Sequence, residues 1–382
     1  MRKVISGDPS LLRRINTAAV LTVLREQEPA LALSLTELTR TTGLSRPTVE
    51  GVVENLLESG LVAEALEEGG DGRRGRPARH FRFRAEAGHL LGIEIGVRRL
   101  TVLLADLNGE LVGSYTRQLE AETEAQQRMD RVLAVVDELL ATCEVDRKGV
   151  RAVGVGTPGI VRQDGTIRLG TALPGWTGYP LGERLSASFD CAVRVENDAN
   201  SAVLGEHWQG AAVGVDDAVF VMAGLSPGAG ALIGGRLHRG HTGSAGEIGS
   251  LHLRGQELTP ERLLSPDGEP LQPLDEDAVG EMLLRAQRGD AQATLARERL
   301  LSRLVHDVVA LVVALDPQTV IVGGWAEGLE DLLDPLYEGL RRYLLTPPQV
   351  VLSALGESAV ATGALRGALD CLEEELLSLS DG

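Results

Sequence analysis

Residues 43–62, GLSRPTVEGVVENLLESGLV, have the pattern of a short helix between a tight turn and a strand. Gly43 can form the turn, and Ser45 stands where a helix N-cap accepts backbone N–H groups. Pro47 falls in the first helical turn, where its missing N–H costs nothing, and Gly60 is placed to end the helix. The apolar residues that we expect to face inward are Val49, Val52, Val53, Leu56 and Leu57. The stretch therefore predicts a helix that begins after Ser45 and a strand that begins at Leu61.

The residues before this stretch predict two further helices. The first is indicated by an apolar stripe that consists of Leu11, Leu12, Ile15, Ala19, Val20 and Leu24. A second, short helix fits Thr36–Thr42. The order helix, helix, turn, helix and strand is that of a winged helix-turn-helix, in which the third helix enters the major groove of DNA. A small helical bundle that serves only for dimerisation is the alternative interpretation.

The start of the third helix carries side chains that can contact DNA. Arg46 and Thr48 can reach base edges or phosphates, and Glu50 can accept a hydrogen bond from a cytosine amino group. The candidate DNA-binding residues on this helix are Ser45, Arg46, Thr48 and Glu50.

An arginine-rich segment, GRRGRPARHFRFR, follows at residues 72–84. Directly behind a wing, a Gly-Arg-Pro tract can lie along the phosphates or in a narrow minor groove. The candidate DNA-binding residues in this segment are Arg73, Arg74, Arg76 and Arg79. A solvated linker without DNA contacts is the alternative.

Charge is distributed unevenly along the 382 residues, whose formal net charge is -18. Residues 1–86 contain 13 Lys and Arg against 12 Asp and Glu, a net charge of +1, whereas residues 87–382 carry a net charge of -19. An acidic body does not attract nucleic acid, so we expect DNA binding in the first 86 residues.

Composition indicates an ordinary globular protein, with 43% hydrophobic and 24% charged residues. Its three cysteines, Cys143, Cys191 and Cys371, are widely spaced and odd in number, which excludes a disulfide framework. No apolar run approaches the length of a membrane span, and the first twenty residues lack the apolar region of a signal peptide. The sequence thus predicts a cytoplasmic protein without a membrane partner.

From His89 onward, strands alternate with helices. One hairpin is predicted to turn at Asn108–Gly109, within RLTVLLADLNGELVGSYTRQL, and a second has a glycine turn within DAVFVMAGLSPGAGALIGGRL. Helices are expected over about 122–142, 275–288 and 291–315, with a closing helix from about 358. Two glycine-turned strand pairs, one in each half, predict a duplicated α/β lobe around a cleft.

From LLRRINTAAVL to ATGALRGAL, the chain resembles the ROK family of repressors, open reading frames and sugar kinases. It is most similar to the winged-helix branch, which includes xylose- and N-acetylglucosamine-type repressors. The resemblance implies a winged helix-turn-helix over 1–70, an arginine-rich linker over 71–86 and a ROK domain over 87–382. That α/β domain would have two actin/hexokinase-like, RNase H-like lobes, one of about 87–197 plus 358–382 and one of about 198–357.

Three segments resemble the sugar-binding motifs of this family. By the match of ENDAN (196–200), Asn197 would hold sugar hydroxyls and Asp198 would be the equivalent of the kinase base. GVGTPGIV resembles the loop beside the sugar, which places Gly159 there, and HTGSAGEIGS places Glu247 on the sugar. The alternative interpretations are a helix N-cap for Asp198 and a simple tight turn for the glycine loop.

The zinc motif that many relatives carry is lost from this chain. The family's histidine is Ser250 here, no cysteine lies in the following twenty residues, and one imidazole, His252, cannot form a four-ligand site. We therefore expect no structural metal.

The nucleotide motifs are altered as well. The first phosphate loop, Asp-x-Gly-x-Thr in the family, is EIGVR here, so Glu94 replaces the aspartate and Arg98 the threonine around Gly96. The second loop, Gly-Thr-Gly-x-Gly in the family, is GLSPG here, so Leu225 replaces the threonine between Gly224 and Ser226, and the loop continues through Pro227 to Gly228. Only VIVGGW, with Gly323 and Gly324, keeps the adenosine-side pattern. The resemblance therefore implies a degenerate kinase site, with no catalytic residue in use and no cofactor.

These features lead to the hypothesis of a sugar-responsive transcriptional regulator, a repressor whose partners are operator DNA and a small sugar or sugar phosphate. Two half-sites in an operator require a homodimer or a dimer of dimers. Two alternatives stay open. One is an active ATP-dependent sugar kinase that also binds DNA, and the other is an interaction scaffold that binds neither ligand nor DNA.

Overall fold

The computed structural model describes residues 9–27, 31–65, 79–249, 261, 264–267, 269, 271, 275–324 and 329–378. The first part of the chain forms a three-helix module with a small sheet. Its elements are α1 (Pro9–Arg25), β1 (Leu33–Ser34), α2 (Leu35–Thr42), α3 (Arg46–Glu58), β2 (Val62–Ala65) and β3 (His80–Phe83). The strands pair in the order β1-β3-β2, so β2 and β3 form the wing. The predicted winged helix-turn-helix is thus confirmed.

Local signals set the boundaries of the second and third helices. Ser34 caps α2 by accepting from the Glu37 backbone N–H at 3.3 Å, while the Glu37 carboxylate accepts from the Ser34 backbone N–H at 2.8 Å. Ser45 caps α3 with an extended backbone, as the sequence predicts. The inward residues Val49, Val52, Val53 and Leu56 of α3 are buried.

The apolar stripe predicted for α1 is partly wrong. Leu12 and Ile15 are more than half exposed, whereas Thr17, Val20 and Leu24 are buried. At 100° per residue, Ile15 lies about 180° from Leu24 and Leu12 about 120° from it, so the proposed stripe was too wide to lie on one buried face.

The rest of the chain forms two five-stranded sheets with the same plan. In the first sheet, β4 (His89–Ile95), β5 (Arg99–Asp106) and β6 (Leu111–Gln118) form an antiparallel meander, and β7 (Val150–Thr157) and β10 (Ala192–Asn197) add in parallel. In the second sheet, β11 (Ala218–Met222), β12 (Gly228–Ile233) and β13 (Arg236–Leu237) form the meander, and β14 (Thr319–Gly323) and β15 (Gln349–Leu352) add in parallel. The predicted duplication is confirmed.

A short ribbon and seven described helices complete the two lobes. The ribbon is β8 (Ile160–Val161) with β9 (Ile167–Leu169). The helices are α4 (Ala125–Thr142), α5 (Leu181–Ser186), α6 (Asp198–Gln209), α7 (Glu276–Gln287), α8 (Ala291–Leu315), α9 (Leu333–Leu340) and α10 (Ala359–Ser378). Helix α9 and strand β15 were not predicted from the sequence. No described helix is both long and apolar enough to cross a membrane.

Helices α6 and α10 join the two lobes. A Cβ on Gly205 of α6 would lie 2.5 Å from the Ala359 carbonyl oxygen of α10, and a Cβ on Gly363 would overlap the Ser201 carbonyl oxygen. Glycines thus allow the two backbones to touch. Helix α10 covers β4, β7 and β10 of the first sheet, while α6 also packs on β11 and β12 of the second.

Candidate functional site

The amino-terminal end of α6 lies where β10 of the first lobe ends. Asn197 caps α6: its side-chain oxygen accepts from the Asn200 backbone N–H at 3.1 Å, and its amide nitrogen donates to the Gly159 carbonyl oxygen at 3.1 Å. Gly159 has φ +113°, and a Cβ there would lie 2.5 Å from the Leu169 carbonyl oxygen, so the loop requires glycine. Two of the predicted sugar-binding residues are therefore in direct contact.

Asp198 is the first residue of α6 and is 9% exposed. Its Oδ1 accepts from the Ala199 backbone N–H at 2.8 Å. Burial, together with the negative charge of Glu247, raises the pKa of the Asp198 carboxyl to about 6, against the hydrogen bonds that favour the ionised form. A carboxylate with this pKa is a good hydrogen-bond acceptor for a hydroxyl group.

Glu247 enters the same cleft from the second lobe. It follows Gly246, whose carbonyl oxygen accepts from the Ala229 backbone N–H at 2.9 Å, so the loop is fixed to β12. The Glu247 residue stays exposed to solvent, while partial burial of its carboxyl group raises the pKa. The structure thus brings Gly159, Asn197, Asp198 and Glu247 to one cleft between the lobes.

An ion pair that the sequence analysis missed supports this site. Glu196 is buried; its Oε1 accepts from the Asn197 backbone N–H at 3.0 Å and from the Asn200 side chain at 2.9 Å. Its Oε2 accepts from Arg239 Nε at 2.6 Å, and Arg239 belongs to the second lobe. Glu196 therefore positions the helix cap and links the lobes. Its place inside ENDAN was the available signal.

Residues of the altered phosphate loops line a cavity of about 130 Å³ beside Asp198. The predicted nucleotide-site residues among its lining are Glu94, Gly96 and Arg98, and Ser226 of the second loop also lines it. The cavity is smaller than the roughly 300–1,000 Å³ of pockets that hold drug-sized ligands.

Glu94 is almost completely buried, at 1% exposure, and lies 3.7 Å from the Arg99 guanidinium. Arg99 also pairs with Glu357 at 2.6 Å. A guanidinium from the protein itself therefore lies close to the carboxylate of Glu94, the residue that replaces the aspartate of the first phosphate loop.

Arg128 of α4 fixes the first phosphate loop through hydrogen bonds to its backbone. This residue was not identified from the sequence. Its fully buried guanidinium donates to the carbonyl oxygens of Gly96 at 2.8 Å and Val97 at 3.1 Å, and to those of Glu120 and Ala121 at 3.3 Å each. Burial lowers its pKa to about 10. In the sequence, Arg128 is one of several charged residues of an amphipathic helix, and nothing local marks it as buried.

The second loop is closed by packing. Leu225 is 3% exposed and belongs to the hydrophobic core of the second lobe, and Arg303 of α8 donates to the Gly224 carbonyl oxygen. The Gly323 carbonyl oxygen accepts from the Ala223 backbone N–H at 2.7 Å, and Gly324 lies against the Ala223 backbone. Gly228 begins β12. The leucine that replaces the family's threonine thus points into the core and offers no hydroxyl to a phosphate.

The predicted loss of the zinc motif concerns Ser250 and His252, which lie outside the described residues. Within the described part of the chain, no group of three or more His, Cys, Asp or Glu side chains could hold a metal ion.

The predicted DNA-binding residues of α3 form an exposed face. Ser45 Oγ lies 2.7 Å from Thr48 Oγ1 and accepts weakly from the Thr48 backbone N–H at 3.4 Å. Arg46 Nε lies 2.9 Å from Glu50 Oε1, with the two side chains 62% and 44% exposed. An exposed pair of this kind contributes little to stability, so Arg46 can be released toward DNA at small cost.

Arg79 lies just before β3 of the wing. Its Nε is 3.0 Å from Glu64 Oε1 on β2, and its guanidinium lies 5.2 Å from the Phe81 ring centroid. Contact with a phosphate would require Arg79 to leave this pair. Arg73, Arg74 and Arg76 lie outside the described residues.

Together, the fold and the cleft define a class of protein: a winged helix-turn-helix joined to a two-lobed, sugar-kinase-like domain whose phosphate loops are altered. The chain belongs to the ROK family, whose model matches residues 90–263 and 269–374. A model of the MarR family matches residues 13–74, which include α2, α3 and most of α1 of the winged module.

Known proteins resemble the chain over different shares of its length. It is 27% identical over 253 residues to the xylose repressor of Caldicellulosiruptor bescii, which covers 66% of this chain and 62% of that protein. It is 23% identical over 355 residues to the DNA-binding transcriptional dual regulator NagC of Escherichia coli, which covers 87% and 86%. The chain thus spans about three fifths of the length of the xylose repressors it matches.

A solved structure extends the similarity to the whole fold. The crystal structure of a ROK family transcriptional regulator, a homologue of the E. coli MLC protein, superposes with a TM-score of 0.76 at 21% identity. It covers 97% of this chain and 100% of that one, so the winged module and both lobes have a counterpart there.

Proposed function

We propose that this protein is a sugar-responsive, DNA-binding transcriptional regulator, a repressor whose ROK domain senses its effector without phosphorylating it. One observation carries the proposal. A single chain combines an exposed helix of the kind that reads DNA with a cleft that differs from a sugar-kinase cleft mainly on its phosphate side. That cleft keeps the sugar-facing groups at Asn197, Asp198 and Glu247 but replaces the phosphate-facing groups at Glu94, Arg98 and Leu225.

The partners follow from the two ends of the molecule. The winged helix would bind operator DNA, and an operator with two half-sites requires a homodimer or a dimer of dimers. The cleft would bind a small sugar or sugar phosphate. A protein with chromosomal DNA as its partner would act in the cytoplasm.

The physical basis of regulation would be closure of the lobes on the sugar. Ligand can shift an equilibrium only by its differential affinity for the two conformations, and residues from both lobes line this cleft. Closure would change the angle between the paired winged helices and weaken their binding to the operator.

One observation favours the alternative, an active sugar kinase that also binds DNA. Asp198 retains the position and a raised pKa suitable for a base. Against it stands the core position of Leu225, which removes the hydroxyl from the second phosphate loop.

The experiment compares the full chain with a fragment of residues 87–382, using the promoter region upstream of its own gene. We expect the full chain to retard that DNA and the fragment not to, and a melting curve of the fragment must show a cooperative transition. Equal retardation by both proteins, or none by the full chain, would reject the proposal. D-xylose, D-glucose and N-acetyl-D-glucosamine are then added to find an effector that lowers DNA affinity.

A further inference from the structure

One helix leads from the cleft toward the winged module. Helix α6 carries Asn197 as its cap and Asp198 as its first residue. Its 12 residues span about 18 Å at 1.5 Å per residue. Trp208 lies near its other end and belongs to the surroundings of a hydrophobic cluster that includes residues of α1, α3 and α10.

Trp208 rests on the β5–β6 hairpin turn. A Cβ at position 109 would lie 2.6 Å from Trp208 Cζ2, and Gly109 has φ +86°, so this contact and this turn both need glycine. The Arg366 guanidinium of α10 lies 5.9 Å from the Trp208 ring centroid. Any displacement of α6 that moves Trp208 therefore changes its contact with the turn at Asn108–Gly109.

The same turn is bound by the winged module. Arg25, the last residue of α1, donates to Asn108 Oδ1 and to the Leu107 carbonyl oxygen, each at 3.4 Å. Its Nη1 also lies 2.9 Å from Glu373 Oε1 of α10, and the other oxygen of that carboxylate, Oε2, lies 3.0 Å from Arg366 Nη2. The Arg25 side chain is 17% exposed, so these contacts are largely shielded from water. Helix α1 in turn packs against the DNA-reading helix α3.

Helix α6 is fixed to its neighbours by close backbone contacts and by hydrogen bonds at its far end. Its backbone touches α10 at Gly205 and Gly363. Its buried Glu206 accepts from the backbone N–H groups of Ala211 at 2.6 Å and Leu355 at 3.1 Å, and contacts the Ser353 hydroxyl. Because packed elements shift as rigid bodies, a change at Asn197 and Asp198 is carried to Trp208.

We propose that Trp208 and Arg25 are positioning residues for DNA recognition, joined through the Asn108–Gly109 turn, and that α6 couples the occupied cleft to the winged helix through them. This inference rests on the proposed function and adds the contacts that connect the cleft to the winged helix. Neither residue touches the ligand or the base-reading face.

The test measures affinity for the promoter DNA with the full chain and without sugar. Trp208→Ala and Arg25→Met should each weaken binding by about 2- to 30-fold, the range of mutations within a coupled network. Because both act through one turn, the double variant should bind no more weakly than Arg25→Met alone. Trp208→Phe, which keeps an aromatic ring over Gly109, should restore binding. Asn108→Ala, which removes one acceptor without opening the core, should weaken binding in the same direction as Arg25→Met but by a smaller factor, because Arg25 keeps its contacts with Leu107 and Glu373.

Matched controls lie off this route. Arg117→Met removes an arginine that lies over the Tyr115 ring and pairs with Glu138, as Arg25 lies 5.9 Å from the Phe83 ring centroid and pairs with Glu373. Tyr343→Ala removes a ring that is 70% exposed. Both should bind within about twofold of the original chain, as expected for independent sites. The coupling is overturned if Trp208→Ala and Asn108→Ala bind like the original chain, or if the effects of Trp208→Ala and Arg25→Met multiply.

A sugar arm repeats these measurements with D-xylose, D-glucose and N-acetyl-D-glucosamine as probes. A sugar that lowers DNA affinity of the original chain should still raise the melting temperature of Trp208→Ala but no longer release its DNA. Undiminished release of DNA from Trp208→Ala would contradict the coupling. If none of the three sugars lowers the DNA affinity of the original chain, the affinities measured without sugar decide. Failure of the original chain to bind promoter DNA is a separate result, which rejects the proposed function itself.

Discussion

Among the cleft residues, Asp198 is the clearest case of a group that is suited to ligand binding but lowers the stability of the folded protein at neutral pH. The carboxylate is buried beside Glu247, and desolvation raises its pKa from 3.8 to about 6. The folded state therefore binds this proton more tightly than the unfolded chain. The stabilising contribution is complete below about pH 3.8, is lost as the pH rises to about 6, and stays lost at neutral pH.

Asp198→Asn should consequently stabilise the protein at pH 7.5. The neutral amide can still accept from the Ala199 N–H, while the buried charge is removed, so we expect the free energy of unfolding to rise by about 1–3 kcal/mol. The gain should shrink as the pH is lowered from 7 to 4. Denaturant titrations at several pH values provide the measurement.

Asp164→Asn is the matched control for this prediction. Hydrogen bonds from Thr166, whose backbone N–H lies 2.9 Å from the carboxylate, lower the Asp164 pKa, so its removal should not stabilise the protein at neutral pH. A lower stability of Asp198→Asn than of the original chain at pH 7.5 would show that the carboxylate is not an unfavourable buried charge.

At the scale of elements, we propose that the winged module separates base reading from phosphate contact. Helix α3 presents Arg46 beside Glu50, whereas the arginine tract of residues 72–84 follows that helix in the chain. Direct readout depends on one or two side chains at base edges, while phosphate contacts are sequence-independent and release counterions. The two groups of arginines should therefore respond differently to substitution.

Arg46→Ala should relax the preference at one operator position at a cost of about 1–3 kcal/mol, with little change in salt dependence. Replacing Arg73, Arg74 and Arg76 together with Ala should instead flatten the slope of log K against log salt, by about 0.9 for each phosphate that the variant no longer neutralises. Binding titrations at four salt concentrations on the operator and its single-base variants distinguish the two effects. An unchanged slope in the triple variant would mean that the tract is only a linker.

At the scale of the whole molecule, the two lobes have the fold of a sugar kinase, but the residues of their phosphate loops differ from those of the kinases. Phosphoryl transfer depends almost entirely on positioning and electrostatics, so a displaced carboxylate and a missing hydroxyl remove most of the rate. Glu94 lies beside Arg99, and Leu225 packs in the core of the second lobe. Sugar binding needs neither group.

We expect ADP release below about 1 s⁻¹, the low end for working kinases, with hexoses, pentoses and N-acetylated amino sugars. A coupled ADP-release assay beside thermal-shift binding provides the measurement, and a sugar that shifts the melting temperature without ADP release is the expected result. Asp198→Asn is the control, because turnover that survives it comes from a contaminating kinase. Faster turnover that Asp198→Asn abolishes would favour the enzyme.

Local signals in the sequence determined the elements of this fold. Ser34, Ser45 and Asn197 each cap a helix through a hydrogen bond to a residue three positions on, and Gly109 forms the predicted hairpin turn. Such interactions span four residues or fewer, so the residue types alone are sufficient to indicate them. The family motifs likewise indicated which residues meet in the cleft.

Only the tertiary structure decided which side chains are buried and what they hold. Arg128 could as well have been a solvated cation of α4, Leu225 a loop residue, and Leu12 part of the core. The bonds from Arg128 to Gly96 and from Arg25 to Leu107 join residues 32 and 82 positions apart. Periodicity reports that a helix has two faces but not which neighbour covers them, because burial depends on elements distant in the chain.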